Sequence, residues 1–316
     1  MRPSTEKSII IRPLTKNDAR AIGELTISFR QEIGCDAIYS PDEFVNLFDT
    51  PWLENGIGLV LERESELIAY GWVSFTSWCQ QDVIHLGVFL SRQAREKHYY
   101  RPLIEELLVN GKQLAAKYNT RKLFYFSRAS DHIHPPILRE FGFHQHAVSM
   151  LGLCHGLDNV PLLVSDDKIK IRALKLPAEV KILLNLWAVV FDDPSNQGEP
   201  LDESVLTLET KRPDFKPEQV IIAEAAAEPV GYLLTFICKN LPYPAYEIAD
   251  IGVLPQWRGK GIGRLLLITA LNWIKSQGAS KAIASMLSSN RAISLFWQAG
   301  FRPEPSRTYN FFIKSI

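Results

Sequence analysis

The stretch "EIADIGVLPQWRGKGIGRLLL" (247–267) joins two apolar segments through a loop of glycines and cations. Glycines alternate in this loop with three cations and one isoleucine: Arg258, Gly259, Lys260, Gly261, Ile262, Gly263 and Arg264. Pro255 ends the first segment as a strand, and the leucines that follow predict a helix from about Gly261 to Gln277. Free N–H groups and the dipole at a helix start attract anions, and glycines allow close approach. The stretch therefore predicts a phosphate site at a strand-to-helix junction.

Two other phosphate loops do not fit this spacing. A Walker loop requires Ser or Thr after its lysine, whereas Lys260 is followed by Gly261. A dinucleotide fingerprint requires GxGxxG and an acidic residue about 20 positions later, whereas the glycines run GxGxG and position 283 is Ile.

Composition limits the partners and the compartment. The 316 residues carry 35 Lys plus Arg and 35 Asp plus Glu, so no net charge favours nucleic acid or an anionic membrane surface. Apolar runs such as "ILLNLWAVVF" (182–191) are too short to span a bilayer. Four scattered cysteines without a CxxC pair are typical of reduced thiols. These features predict a cytoplasmic monomer or homodimer without a metal site.

The chain contains an internal repeat. Three pairs of similar segments occur in the same order: 8–22 with 168–182, 85–90 with 250–255, and 138–143 with 296–301. Their offsets of 160, 165 and 158 positions indicate a duplicated unit of about 150 residues. We expect one domain over 1–157 and another over 165–316, with the join inside 156–168, where Gly, Asn and Pro interrupt the pattern.

The second half alternates strand and helix patterns. Residues 219–237 predict two strands around a turn at Glu228-Pro229, and 245–255 a third strand. Strand 281–287, a helix over 290–300 and a closing strand over 309–315 follow. The fold class is α/β, with a mostly antiparallel mixed sheet flanked by helices in each domain.

The string from Gln256 to Gly261 fits the QxxGxG signature, and the chain resembles the GNAT superfamily of N-acetyltransferases. "NRAISLFWQAGF" (290–301) resembles a later helix of the same family. The resemblance implies two tandem GNAT-like domains with acetyl-CoA as co-substrate. It implies that Ile251, Gly252 and Val253 receive the pantetheine arm and that Arg258 to Arg264 receive the phosphates. Asn290 would lie near the CoA arm, cap its helix, or do both.

Two carboxylates on the third strand are candidates for the chemistry. An alkylammonium is neutral in only about one molecule in 2,500 at pH 7, so a nearby base helps its attack. Strict alternation places Glu247 with Ala249, Ile251 and Val253, and Asp250 on the opposite face. Glu247 has the spacing that the family uses for its glutamate, which implies a base or substrate anchor. Asp250 is either functional or a buried hydrogen-bonding group.

The general acid expected from the family is absent. Members often carry Tyr five residues before the Phe of the closing Gly-Phe pair, where this chain has Phe296. Tyr309 or water is then expected to protonate the departing thiolate.

The first half lacks the loop. Its counterpart, "LSRQAREKHYYRPL" (90–103), has no glycine and contains Tyr99, Tyr100 and Pro102. We expect a degenerate GNAT-like domain without a CoA site.

These features predict an acetyl-CoA-dependent N-acetyltransferase, active in the C-terminal domain, that acetylates a primary amine by direct attack in a ternary complex. The acceptor is a small molecule or peptide that meets the loop 189–204. Alternatives are a non-catalytic CoA-sensing or scaffold protein, and an acyltransferase with another acyl group or acceptor.

Overall fold

The computed structural model describes residues 9–35, 40–41, 44, 55–78, 81–163, 167–192, 206–207 and 210–316. The chain divides into two compact units. The first unit comprises Met1–Ala147 together with Tyr309–Ile316, and the second comprises Val148–Thr308. This division differs from the two continuous domains expected over 1–157 and 165–316, because strand pairing decides to which unit the end of each half belongs.

The first unit is a mixed sheet with helices on both faces. Its strands in chain order are β1 (Ile9–Pro13), β2 (Gly56–Arg63), β3 (Glu66–Trp78), β4 (Gln81–Leu90) and β5 (Lys122–Arg128). Its helices are α1 (Ala19–Glu32), α2 (Arg92–Glu96), α3 (Tyr100–Lys117) and α4 (His134–Glu140). Strands β1 to β4 pair antiparallel, and β5 lies parallel to β4. Buried apolar residues of α3, such as Leu103 and Leu107, pack on one face of this sheet.

The second unit repeats this arrangement. Its strands are β6 (His144–His155, from Val148 onward), β7 (Ile169–Ala173), β8 (Val220–Ala225), β9 (Glu228–Ile237), β10 (Ala245–Val253), β11 (Lys281–Leu287) and β12 (Arg302–Pro303). Its helices are α5 (Val180–Phe191), α6 (Ile262–Ser276) and α7 (Ile293–Ala299). The strand order is β6-β11-β10-β9-β8-β7, and only β10 and β11 pair in parallel. Helix α6 packs on one face and α5 on the other.

The last strand of the chain, β13 (Tyr309–Ser315), belongs to the first unit. It pairs antiparallel with β5, from Tyr309 opposite Arg128 to Ser315 opposite Lys122. The sequence predicted this strand but placed it in the second domain. Local alternation defines a strand without specifying its partner, and the pairing with β5 is long-range.

Each unit carries a similar ion cluster, on β1 in the first unit and on β7 in the second. Arg12 on β1 bonds Asp18 and Glu62, and Arg172 on β7 bonds Glu179 and Glu224. The two arginines are the Ile-Arg positions of the repeated segment, 160 positions apart. The matching partners support a duplication.

The ends of helix α6 agree with the prediction, whereas the turn between β8 and β9 does not. Helix α6 begins after Gly261 and ends before Gly278, as predicted, and both glycines have positive φ. The hairpin turn between β8 and β9, however, lies at Ala226-Ala227, where φ is 49° and 69°, and not at Glu228-Pro229. Pro229 lies in β9 beside a register shift in β8, a position that tolerates its missing N–H.

Candidate active site

The glycine-rich loop ends in an open helix start. After β10, Pro255–Trp257 form one 3₁₀ turn, and Gly259 and Gly261 then adopt φ of 73° and 80°. The N–H of Leu265 donates to the Gly261 carbonyl at 3.0 Å, which begins the helical bonding of α6. The N–H groups that precede it are therefore the orphan donors of the helix N-terminus. Their direction and the dipole favour an anion.

A cleft of about 590 Å³ lies beside this helix start. It is lined by ten of the eleven residues predicted for the cofactor: Ile251, Gly252, Val253, Arg258, Gly259, Gly261, Ile262, Gly263, Arg264 and Asn290. Lys260 does not line the cleft, and its ammonium lies 4.4 Å from the centre of the Trp257 ring. The structure thus brings the strand end, the loop and the later helix around one space.

The strand before the loop separates from its parallel neighbour. Strands β10 and β11 pair from Ala245 opposite Lys281 to Ile248 opposite Ala284. Beyond that point β11 pairs with β6 on its other side, and the register with β10 has ended. The edge of 251–253 that β11 no longer pairs therefore faces the cleft, while the opposite edge pairs with β9.

The later helix contributes one face to the cleft. The Asn290 side chain accepts the Ala292 N–H at 2.8 Å and lines the cleft, but the N-cap of α7 is Ala292, so Asn290 does not cap the helix as expected. Sequence reasoning missed Arg291, Ser294 and Gln298, which line the cleft as well. Their spacing of three and four residues was the available signal, because it marks one face of a helix.

The predicted orientation of the two carboxylates is wrong. The register of β10 on β9 shifts between Ile248 and Asp250, so Ala249 is an extra residue. Glu247 lies opposite Phe236, and Asp250 lies opposite Leu234. Phe236 and Leu234 both pack in the apolar cluster beneath α5, which places Glu247 and Asp250 on that same face.

The side chains of β10 after the bulge also lie on faces other than those predicted. Ile251 and Val253 pack with the cluster beneath α6, on the face opposite Glu247. The sequence argument placed both with Glu247, because it assumed a strand without a bulge. After the extra residue, every side chain of the strand exchanges faces relative to that expectation.

Both carboxyl groups are shielded from water. Burial raises the pKa of Glu247, and the positive charge of Arg307 partly opposes the rise. Burial raises the pKa of Asp250 to about 6, while the Tyr232 hydroxyl, which donates to Asp250 Oδ2 at 2.8 Å, partly opposes it. Two half-buried carboxyl groups with raised pKa values therefore share the face of the sheet beneath α5.

The two residues considered for the acid step lie apart from the cleft lining. Phe296 is 2% exposed and packs edge-on against Phe301, with ring centres 5.1 Å apart. Tyr309 lies in the first unit, where its ring centre is 4.7 Å from the guanidinium carbon of Arg128. Most of the predicted acceptor loop, 193–204, lies outside the described residues.

Among the described residues, no three His, Cys, Asp or Glu side chains form a group able to hold a metal ion. None of the helices within the described ranges has the length and apolar character needed to cross a membrane.

A mixed sheet that splits between two parallel strands, with an anion-attracting helix start at the split, defines an acyltransferase-like fold of the GNAT type. Residues 185–301 match the model of the Acetyltransferase (GNAT) family. These residues lie within the second unit, and the resemblance that the sequence predicted is confirmed over them.

The similar proteins with curated names are acetyltransferases. The chain is 26% identical over 148 residues to a mycothiol acetyltransferase of Nocardia farcinica, a match that covers 46% of this chain and 48% of that protein. A mycothiol acetyltransferase of Gordonia bronchialis is 29% identical over 134 residues, covering 41% and 42%. The chain thus matches about half the length of these relatives.

Solved structures share the tandem fold. A GCN5-related N-acetyltransferase from Sphaerobacter thermophilus has a TM-score of 0.71 at 18% identity, covering 97% of this chain and 95% of that one. A tandem GNAT protein from the clavulanic acid biosynthesis pathway has a TM-score of 0.66 at 13% identity, covering 98% of both chains. At these identities the likeness shows the fold alone.

Proposed function

We infer that the second unit is an acetyl-CoA-dependent N-acetyltransferase that acetylates a primary amine. The observation that carries this proposal is the continuity of one cleft from the split strand end at 251–253 to the open start of α6 at Gly261. A long co-substrate with an anionic end and an amide-containing arm matches these two features. The family of the second unit and the names of its relatives support the same activity.

Each part of the cleft has a role in binding the co-substrate. The N–H groups after Gly261, with Arg258 and Arg264, bind the diphosphate. The edge of 251–253 that β11 leaves without a strand neighbour bonds the amides of the pantetheine arm. The N–H beside Val253 stabilises the negative charge that develops on the thioester oxygen.

Glu247 meets the acceptor. It lies on the sheet face beneath α5, and a carboxylate there binds an ammonium and promotes its deprotonation. Both a small molecule and a peptide offer a suitable amine. That the named relatives are mycothiol acetyltransferases favours a small amine acceptor.

Transfer is direct, without an acyl-enzyme intermediate. Cys238 lies close enough to Glu247 for their charges to interact, but burial, with Glu247, raises the pKa of the thiol to about 12. A thiol with so little thiolate at pH 7 is a poor nucleophile. The amine therefore attacks the thioester itself, in a ternary complex. Water remains the candidate for protonating the thiolate, because Tyr309 belongs to the first unit and does not line the cleft.

The test is calorimetric titration with acetyl-CoA of the wild type and of two variants, Gly261→Glu and Gly278→Glu. The two glycines have φ of 80° and 75°, and a Cβ on either meets no atom within 4 Å, so the backbone strain is matched. Only Gly261 lies at the cleft. We expect micromolar binding with one site per chain, abolished by Gly261→Glu and retained by Gly278→Glu.

An amine panel with acetyl-CoA then separates an enzyme from a CoA sensor. Acetylation of a primary amine supports the proposal. Binding without transfer to any amine favours the sensor, and equal effects of the two glycine variants contradict the assigned phosphate site.

A further inference from the structure

Asp250 and Tyr232 form a second polar group on the acceptor face of the sheet, apart from Glu247. The Tyr232 hydroxyl donates to Asp250 Oδ2 at 2.8 Å, and the Tyr232 ring is fully buried beneath α5. The bulge at Ala249 is what turns Asp250 toward this side. A regular strand would have pointed Asp250 into the apolar cluster under α6.

The position of Asp250 lies between the cleft and Glu247. Gly252, which lines the cleft, follows Asp250 on the same face, and Glu247 precedes it there. The order along the strand is thus cleft, Asp250, Glu247. An amine anchored at Glu247 therefore passes Asp250 before it reaches a thioester held in the cleft.

The surroundings of Asp250 leave its charge without a cation. Within the described part of the chain, no Lys, Arg or His forms an ion pair with it. Its neighbours are neutral groups, namely the Tyr232 hydroxyl from β9, the Ile251 N–H from its own strand and the Trp187 indole from α5, whose N–H has no hydrogen-bond partner among the described residues. A half-buried carboxylate without a cation is costly, and a substrate ammonium is a suitable partner.

We propose that Asp250 is a further catalytic residue, the group that takes the proton from the acceptor ammonium, with Tyr232 as the residue that positions it. This inference rests on the proposed function. Glu247 then serves mainly to bind the ammonium. Burial raises the pKa of Glu247, and the neighbouring positive charge of Arg307 only partly opposes that rise.

The proton balance is complete with these groups. The ammonium gives one proton to the Asp250 carboxylate, and the freed nitrogen lone pair forms the bond to the thioester carbon. The C–S bond breaks with its electron pair on sulfur. The second proton, released as the amide forms, neutralises the thiolate. Asp250 finally returns its proton to solvent.

The pH dependence of kcat/KM distinguishes this role from a structural one. A base with a pKa of about 6 gives an acid limb with its midpoint near pH 6. The Tyr232 hydroxyl bond favours the charged carboxylate, so Tyr232→Phe raises the Asp250 pKa and moves the limb to higher pH. A merely structural bond would not move the limb.

The experiment measures amine acetylation against pH for the wild type, Asp250→Asn, Tyr232→Phe and Glu247→Gln, with acetyl-CoA affinity and thermal unfolding for each. Asp158→Asn is the matched control, because Asp158 is exposed in the same unit. We expect Asp250→Asn to lower kcat by about 100-fold or more at unchanged acetyl-CoA affinity. We expect Glu247→Gln to act mainly on the KM for the amine.

The outcomes separate this inference from the proposed function. An active wild type with Asp250→Asn equally active, or with a limb unmoved by Tyr232→Phe, overturns the role of Asp250 alone. A wild type that binds acetyl-CoA and acetylates no amine overturns the proposed function and this inference with it. If Asp250→Asn unfolds, the limb of Tyr232→Phe still decides, since Phe keeps the buried ring.

Discussion

The helix that follows the parallel strand starts differently in the two units. In the second unit, Gly259 and Gly261 turn the chain, and the N–H groups before Leu265 face the cleft. In the first unit, the equivalent long helix α3 begins at Tyr100 without a side-chain cap, and no glycine precedes it in 90–103. The bulk of Tyr99 and Tyr100 and the missing N–H of Pro102 leave little open backbone for a phosphate.

The split between the parallel strands differs in the same way. In the first unit, the Tyr125 hydroxyl on β5 donates to the Val88 carbonyl on β4 at 3.3 Å, across the end of their pairing. Val88 and Val253 are equivalent positions of the repeated segment. In the second unit, Val253 instead lines the cleft.

Aromatic packing over the glycine of the repeated segment is shared by the two units. A Cβ on Gly87 would lie 2.2 Å from the Trp72 ring, and a Cβ on Gly252 would lie 2.5 Å from the Tyr232 ring. In the second unit the Tyr232 hydroxyl also donates to Asp250. The duplication kept this aromatic cover, so the two units differ at the loop and helix start and at the ends of their parallel strands.

The prediction with the largest expected effect concerns cations that have carboxylate partners in the first unit but, among the described residues, not in the second. Arg92 and Arg95 of the first unit pair with Glu96 and Glu32, whereas Lys260 and Arg264 have no carboxylate partner among the described residues. We expect Lys260→Gln with Arg264→Gln to weaken acetyl-CoA binding about 100-fold and to flatten its salt dependence.

The matched control is Arg92→Gln with Arg95→Gln, which should change the affinity less than about twofold. Calorimetry at two salt concentrations measures both double variants. Similar losses in the two would contradict the difference between the units.

A second prediction tests a feature that the units share, the ion cluster on β1 and its counterpart on β7. Without the guanidinium, two carboxylates lie near each other, so Arg12→Gln and Arg172→Gln should each lower the Tm by roughly 4 °C at pH 7. Arg12 lowers the pKa of Asp18, and a depressed carboxyl contributes stability above its ordinary pKa of 3.8 that is lost as pH falls through the depressed value. The Tm difference between wild type and Arg12→Gln should therefore shrink below about pH 4.

Scanning calorimetry at several pH values checks this prediction. A large loss from one arginine and none from the other would show that the clusters are not equivalent. A Tm difference that grows in acid would have the wrong sign for Asp18.

The sequence predicted the elements of the second unit better than their pairing. Helix α6 followed from Gly261 and Gly278, because glycine marks helix ends locally. The extra residue Ala249 carried no local signal, since Ala is not a typical bulge residue, and it reversed the face assigned to Asp250. The partner of β13 depended on contacts far apart in sequence, so a pattern confined to 309–315 predicted the strand and not its unit.

The smallest expected effect concerns the first hairpin of each unit, which both units build from two residues with positive φ. Glu64 and Ser65 have φ of 55° and 66°, and Ala226 and Ala227 have 49° and 69°. A non-glycine residue in this region costs about 1–2 kcal/mol, while glycine costs about 0.5–1 kcal/mol of chain entropy on folding. Ser65→Gly and Ala227→Gly should therefore each raise the free energy of unfolding by roughly 0.5–1 kcal/mol.

The matched control is Ser276→Gly, which places the same change at the end of α6, where φ is not positive. Glycine there brings the entropy cost without relief, so the free energy of unfolding should fall by about 0.5–1 kcal/mol. Denaturant unfolding measures all three variants. A gain at Ala227 with none at Ser65 would mean that the strain in the first hairpin is relieved by contacts that the second lacks, and the likeness of the two units would then end at their turns.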